Sequence, residues 1–348
     1  MKTNIIFVQW SNCIGGLENI TKHYENFFYY RKPTVLYFQK CKNGIVYKNQ
    51  IYLNKDNKLL FFIKYVEFVI KNRYSIFHFQ ISNTYLILLA YFLGAKKIIC
   101  QFHGCYSTKN DLEKIIWRFL QKRIKIIANS YFVVNEIKRK YTITKNVSTI
   151  PNFINLQKFI FSKKIYDKKE FIIIYAGRFA KGKNLSLIID IANYISDPNI
   201  VFELYGDGPE KKNLESKIKE HSLEKKFFLY PFTTAIEKKF KNSHLFLFTS
   251  LYETFGNVVA EAILSGLPVL CYKIPSLSEF IYDDFFFFDK LDPKLIAQKI
   301  EYMKQNYTDV TKRLLKLSDQ VRKILDPINT IDKIEKIYSK FDNTNKNR

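Results

Sequence analysis

Short apolar runs alternate with helix-period segments along nearly the whole chain, and this rhythm occurs twice. The first series of runs is 5–8, 35–38, 76–79, 97–101, 124–128 and 147–150. The second is 171–176, 200–204, 226–229, 245–248, 268–271 and 285–288. Strands separated by helices in this order pair in parallel, with helices on both faces of the sheet. The expected fold class is therefore α/β, with two doubly wound parallel-sheet domains and C-terminal helices over 295–302, 310–325 and 331–341. A polar, Lys-rich segment at 155–170 reads as the linker. The expected domains are 1–160 and 161–325. A last helix within 326–348 is expected to pack back on the first domain, followed by a polar tail. Sheets of this kind bind ligands outside the strand C-termini, but the fold alone names no function.

A length of 348 residues fits two domains, and 47% hydrophobic with 25% charged residues excludes a disordered chain. The net charge of +24 calls for an anionic partner: nucleic acid, anionic lipid or a phosphorylated substrate. The five cysteines form no CxxC pair, so a reduced cytosolic chain without a zinc site is expected. The longest apolar stretch, around 85–93, is about half the ~20 residues that a membrane span needs. No basic segment and cleavage site accompany the apolar run at 5–8, so no signal peptide is expected.

Glycine is scarce, at 11 residues, where average usage of ~7% gives about twice as many. Gly44 reads as a turn and Gly94 as a helix C-cap. The others follow strands or end helices, where α/β proteins place ligand loops.

The segment 250–268 (SLYETFGNVVAEAILSGLP) follows a strand and opens a helix near Phe255–Gly256. A helix N-terminus approached through Gly is a ready phosphate site. Glu253 lies just before this helix and Glu261 one turn inside it. Two carboxylates beside a phosphate site need other partners, and sugar hydroxyls suit them. The segment 175–185 (YAGRFAKGKNL) likewise runs from strand end to helix. It places Arg178 and one of Lys181 or Lys183 where a diphosphate would lie. A third junction is 204–209 (LYGDGP).

Together, in this order, the three segments resemble the retaining nucleotide-sugar glycosyltransferases of group 1 (family 4, GT-B fold). The resemblance is strongest over 171–280. It implies two Rossmann-like domains facing across a cleft, the second binding the nucleotide-sugar. Arg178 and Lys183 would neutralise the diphosphate in place of a metal ion, so no metal or other cofactor is expected. The backbone at Phe255, Gly256 and Asn257 would touch phosphate. Glu261 would hold the ribose, and Glu253 the donor sugar. Gly177, Gly206 and Thr254 belong to the same motifs, and Pro231 and Phe232 to the nucleobase loop. In the first half, Gly15 and Gly16 match the family's Gly-Gly loop over the donor, and His103 matches a His that faces the reaction centre. A lone His after a strand is as often structural, as expected for His78.

The implied reaction moves a sugar from a nucleotide diphosphate, UDP by family frequency, to a hydroxyl with retention at the anomeric carbon. The chain departs from the family at 275–279 (PSLSE), at Asp283-Asp284 and at Pro231. Other enzymes of the same fold, an epimerase or a phosphorylase, compete with this reading. So does a basic nucleic-acid-binding protein, although no such motif is present and no nucleic-acid partner is expected. The segment 111–125 (DLEKIIWRFLQKRIK) reads as a basic, aromatic helix. It would either lie on an anionic membrane or pack its apolar stripe on the sheet. With the charge, it suggests a cytoplasmic enzyme, peripheral on the inner membrane face, with a lipid-linked or glycan acceptor.

Overall fold

A computed structural model describes residues 2–13, 16–42, 44–104, 111–166 and 170–343. It forms two compact units, Met1–Phe153 with Pro327–Arg348, and Ile154–Asp326. The passage between them falls ahead of residue 160 because Ile154 and Phe159 are buried in the second unit's core. Gly15, Cys105 and the polar tail beyond 343 lie outside the described residues.

The first unit runs β1 (Ile5–Ser11), α1 (Gly16–Phe27), β2 (Thr34–Gln39), β3 (Gln50–Tyr52), α2 (Lys58–Lys71), β4 (Ile76–Phe79), α3 (Thr84–Phe92) and β5 (Ile98–Phe102). It continues with α4 (Asp111–Leu120), β6 (Lys125–Ala128), α5 (Tyr131–Tyr141) and β7 (Val147–Thr149). All strands pair in parallel, in the order β3-β2-β1-β4-β5-β6-β7. Successive β1 side chains serve opposite faces. Ile6 and Val8 pack under α2 to α5, and Ile5 and Phe7 under α1. Burial on both faces explains why such strands read as unbroken apolar runs. The exposed edge strand β3 has no such run and gave no sequence signal.

The second unit runs β8 (Phe171–Ala176), α6 (Ser186–Ala192), β9 (Ile200–Tyr205), α7 (Lys211–Glu220), β10 (Phe227–Tyr230), α8 (Ile236–Asn242) and β11 (Leu245–Phe248). It then adds α9 (Asn257–Leu264), β12 (Val269–Tyr272), β13 (Phe287–Phe288), α10 (Pro293–Gln305) and α11 (Tyr307–Ile324). Its parallel sheet has the order β10-β9-β8-β11-β12-β13.

The last helix, α12 (Pro327–Asn343), belongs to the first unit, where Ile334 and Tyr338 are buried with Ile5, Phe7 and Phe28. Its anchor is the fully buried Arg31, which bonds Glu335 at 2.5 Å and Asp342 at 2.9 Å. Replacing Arg31 by methionine strands two carboxylates. We expect a loss of about 3 kcal/mol, since breaking a buried ion pair costs about 3–5 and these carboxylates are partly solvated. Urea unfolding followed by tryptophan fluorescence measures it.

Two expectations change. The helix predicted over 111–125 stops at Leu120, because the chain must turn to start β6. Ile116, Trp117 and Leu120 are buried on the sheet, with the Trp117 indole donating to Thr84 Oγ1 at 3.0 Å, while Ile115 is exposed. The cysteines are not all reduced. Cys13 and Cys41 leave neighbouring strands β1 and β2, lie 5.1 Å apart at Cα, and are joined. Cys100 and Cys271 are buried free thiols. Among the described residues, no helix is long and apolar enough to cross a membrane, and no three metal-ligating side chains cluster.

Candidate functional site

In the second unit the chain order reverses between the adjacent strands β8 and β11, and such switch points open a ligand crevice at the strand C-termini. The segments carrying the candidate residues leave these two strands. After β8, Gly177 N–H donates to Tyr205 O at 3.0 Å and Phe179 N–H to Asp207 O at 2.8 Å, tying this loop to the one after β9. A Cβ on Gly206 would lie 1.9 Å from Gly177 O, so only glycine allows the approach. After β11, Thr249 Oγ1 donates to Lys183 O at 2.9 Å and Leu251 N–H to Gly182 O at 3.1 Å. The loops from β8, β9 and β11 thus form one hydrogen-bonded platform.

The charged groups on this platform are unequal. Lys183 pairs directly with the Glu253 carboxylate, which also accepts from Ser250 Oγ at 3.1 Å. Ser276 Oγ holds the Glu253 backbone carbonyl at 2.8 Å. Lys183 and Glu253, expected on different parts of a donor, therefore form one pair here. Arg178 is exposed and makes no side-chain hydrogen bond or ion pair among the described residues. Lys181 is also exposed.

The helix α9 starts at Asn257, with Gly256 at φ +91° as its N-cap and no side chain capping it. Any Cβ at Gly256 would sit 2.4 Å from Leu277 Cδ2. Phe255 is buried beside Phe280, which fixes the entry to the helix, and Thr254 is half-buried. The positive end of the helix dipole, approached through this glycine, suits an anion.

Glu261 is half-buried on α9. Burial pushes its carboxyl up to about 7, with Glu237 adding to the rise and Lys158 opposing it. Lys158 itself bonds Thr234 O at 2.6 Å and lies 3.4 Å from Glu237. Pro231 and Phe232 are exposed after β10, and Tyr230 stacks on Tyr205 at 4.7 Å.

In the first unit the switch point lies between β1 and β4. Gly16 begins α1. His103 follows β5, and burial lowers it to about 4, against a hydrogen bond with Asn152, so the ring is neutral near pH 7. Its Nε2 lies 2.6 Å from Gln80 Oε1, and Gln80 Nε2 donates to Gln101 Oε1 at 3.3 Å. An amide oxygen only accepts, so in this arrangement Nε2 carries the proton. His78 is fully buried, spanning Tyr338 OH at 2.7 Å and Gln101 at 3.0 Å, a structural place as expected.

Gln80, Lys158 and Glu237 were not singled out in the sequence, and Ser250 and Ser276 were given no role of their own within 250–268 and 275–279. Gln80 carried a signal as the residue directly after β4.

Comparison with known proteins places these features. The family described as Glycosyl transferases group 1 matches residues 157–323, and Glycosyltransferase Family 4 matches 22–158. The UDP-Gal:alpha-D-GlcNAc-diphosphoundecaprenol alpha-1,3-galactosyltransferase of Escherichia coli is 28% identical over 64% of this chain and 64% of its own. The poly(ribitol-phosphate) alpha-N-acetylglucosaminyltransferase of Staphylococcus aureus is 28% identical over 45% of this chain and 32% of its own. The chain thus spans less than two thirds of these relatives' length. Anabaena Alr3699/HepE, solved with UDP and glucose, superposes with a TM-score of 0.83 at 16% identity, covering 97% of this chain and 99% of its own. A glycosyltransferase from Rickettsia africae gives 0.83 at 17% identity, covering 98% of each chain. At such identity the likeness shows the fold, which is GT-B. With its two halves matched by these two families in turn, the chain is a member of the group 1 glycosyltransferases.

Proposed function

We propose that this protein transfers a sugar, with retention, from a UDP-sugar to a hydroxyl of a lipid-linked or cell-surface glycan at the cytoplasmic face of a membrane. The observation that carries the reading is the platform at the β8/β11 switch point. There a guanidinium with no ion pair among the described residues, a lysine–carboxylate pair and a helix start approached through glycine serve one site. UDP and undecaprenol diphosphate appear in the relatives' names, and both enter here as inference.

Arg178 and the first turn of α9 hold the diphosphate without a metal. Arriving phosphate draws Lys183 away from Glu253, which frees that carboxylate for the donor sugar's hydroxyls. Glu261 accepts from the ribose hydroxyls. In the transfer, the bond from the anomeric carbon to the β-phosphate oxygen breaks, and the acceptor oxygen bonds the same carbon on the same face. The acceptor proton passes to the departing phosphate. His103, neutral and held by Gln80, contributes hydrogen bonding rather than charge.

Calorimetry against UDP, GDP and ADP tests the donor site. Binding of UDP, unchanged by EDTA, is expected; no nucleotide binding overturns the reading. The anomeric configuration of the product, read by NMR, tests retention.

Glu261 adds a pH signature. Its folded carboxyl titrates near 7, so the ionised, accepting form is lost as pH falls through that value. UDP affinity is expected to drop about tenfold from about pH 8 to about pH 6. Glu261→Gln has weaker affinity throughout and loses that drop, and a titration series on both proteins separates it from titration of the nucleotide itself.

A further inference from the structure

α2 carries an apolar surface that its place in the core does not use. Tyr65 and Val69 face the sheet and are buried. In its first two turns Leu59, Leu60, Phe62 and Ile63 all remain exposed, Leu59 at 71% and Phe62 at 51%. Four large apolar side chains within five positions form a contiguous patch, which a soluble surface seldom leaves without a partner. Leu112 and Ile115, at the start of α4, are exposed on the same layer, Ile115 at 60%.

The topology places these groups along one edge. α2, α3 and α4 cover one face of the sheet, and in parallel units helices begin where strands end. The starts of α2 and α4 therefore lie along the edge that carries Gln80 and His103. Lysines flank the apolar patch at 55, 58 and 64. An apolar centre flanked by lysines is complementary to a lipid surface whose headgroups are anionic.

We propose that the start of α2, with the start of α4, docks the first unit on an anionic lipid bilayer. The helix lies on the surface and does not cross it. Its purpose rests on the proposed lipid-linked acceptor, but the binding itself does not. Its centre lies on α2 rather than on α4, the helix singled out in the sequence, whose Trp117 is buried and contributes nothing.

The test is flotation of the full chain with vesicles of phosphatidylcholine alone, and of phosphatidylcholine with phosphatidylglycerol, without donor or acceptor. Binding to the anionic vesicles alone, weakening as salt rises, is expected. The double variant Leu59→Ser/Phe62→Ser should partition at least about tenfold less. Lys58→Gln and Lys64→Gln should each weaken binding about fivefold. These side chains are exposed, and an unchanged near-ultraviolet circular dichroism spectrum and melting curve in every variant shows that the first unit is intact. The proposal is overturned if no vesicle binds at low salt, or if the variants bind like the parent. Self-association abolished by the same double variant, without vesicle binding, also overturns it and assigns the patch to a second copy. Loss of UDP binding in the parent, with vesicle binding intact, would sink the proposed activity and leave this surface standing.

Discussion

Arg178→Ala is expected to lower kcat/KM for the nucleotide-sugar by about 10²–10³, the range seen when one preorganised charge-stabilising group is removed. The size of the effect follows from the site's wiring. Lys183 is already committed to Glu253, whereas Arg178 has no ion pair among the described residues to leave before it meets phosphate. A guanidinium grips a diphosphate with two parallel hydrogen bonds, which an ammonium cannot copy. Arg178→Lys should therefore recover only part of the loss. Stability should hardly change, because the side chain is exposed. Initial rates with varied donor, alongside thermal unfolding, check both statements. A loss below about tenfold would move the phosphate contact to the α9 backbone.

Gly206→Ala should be the most damaging methyl group in the second unit. The new Cβ would lie 1.9 Å from a backbone carbonyl and 2.8 Å from the Phe179 ring, and neither can swing aside. Overpacking costs about 1–3 kcal/mol when side chains can adjust, and here the clash is with backbone, so the upper end is expected. For a unit of this size, about 3 kcal/mol lowers the melting temperature by about 10 °C. The same carbonyl positions Arg178, so UDP affinity should fall as well. Gly182→Ala is the control: no atom lies within 4 Å of its added Cβ. Melting curves and UDP titrations of both variants decide it.

The alternating rhythm was legible wherever a strand is buried on both faces. Runs 76–79, 171–176 and 245–248 coincide with β4, β8 and β11. It failed at β3, where an edge strand of three exposed residues needs no apolar run. The helix at 111–125 was read too long because its basic, helix-forming composition continues past Leu120, while the position of β6 is set by its neighbours β5 and β7. Cys13 and Cys41 are 28 residues apart, and only the pairing of β1 with β2 brings them together. Arg178, Glu253 and Gly256 stood out because their loops keep a recognisable order along the chain. The Lys183–Glu253 pair did not, because its partners leave different strands, 70 residues apart. The same holds for Gln80 beside His103.

Because α12 completes the first unit only after the whole second unit has been made, synthesis on the ribosome runs against the architecture. Ile5, Phe7 and Phe28 emerge early, while Ile334 and Tyr338, which cover them, emerge last. Throughout that interval the second unit can close its own core, but the first has one sheet face covered only in part, by α1, and Arg31 without its carboxylates. A nascent chain in this condition is exposed to aggregation and is a natural client for chaperones. A premature stop anywhere within the last helix would thus strike the N-terminal half of the protein, at the far end of the chain from the lesion.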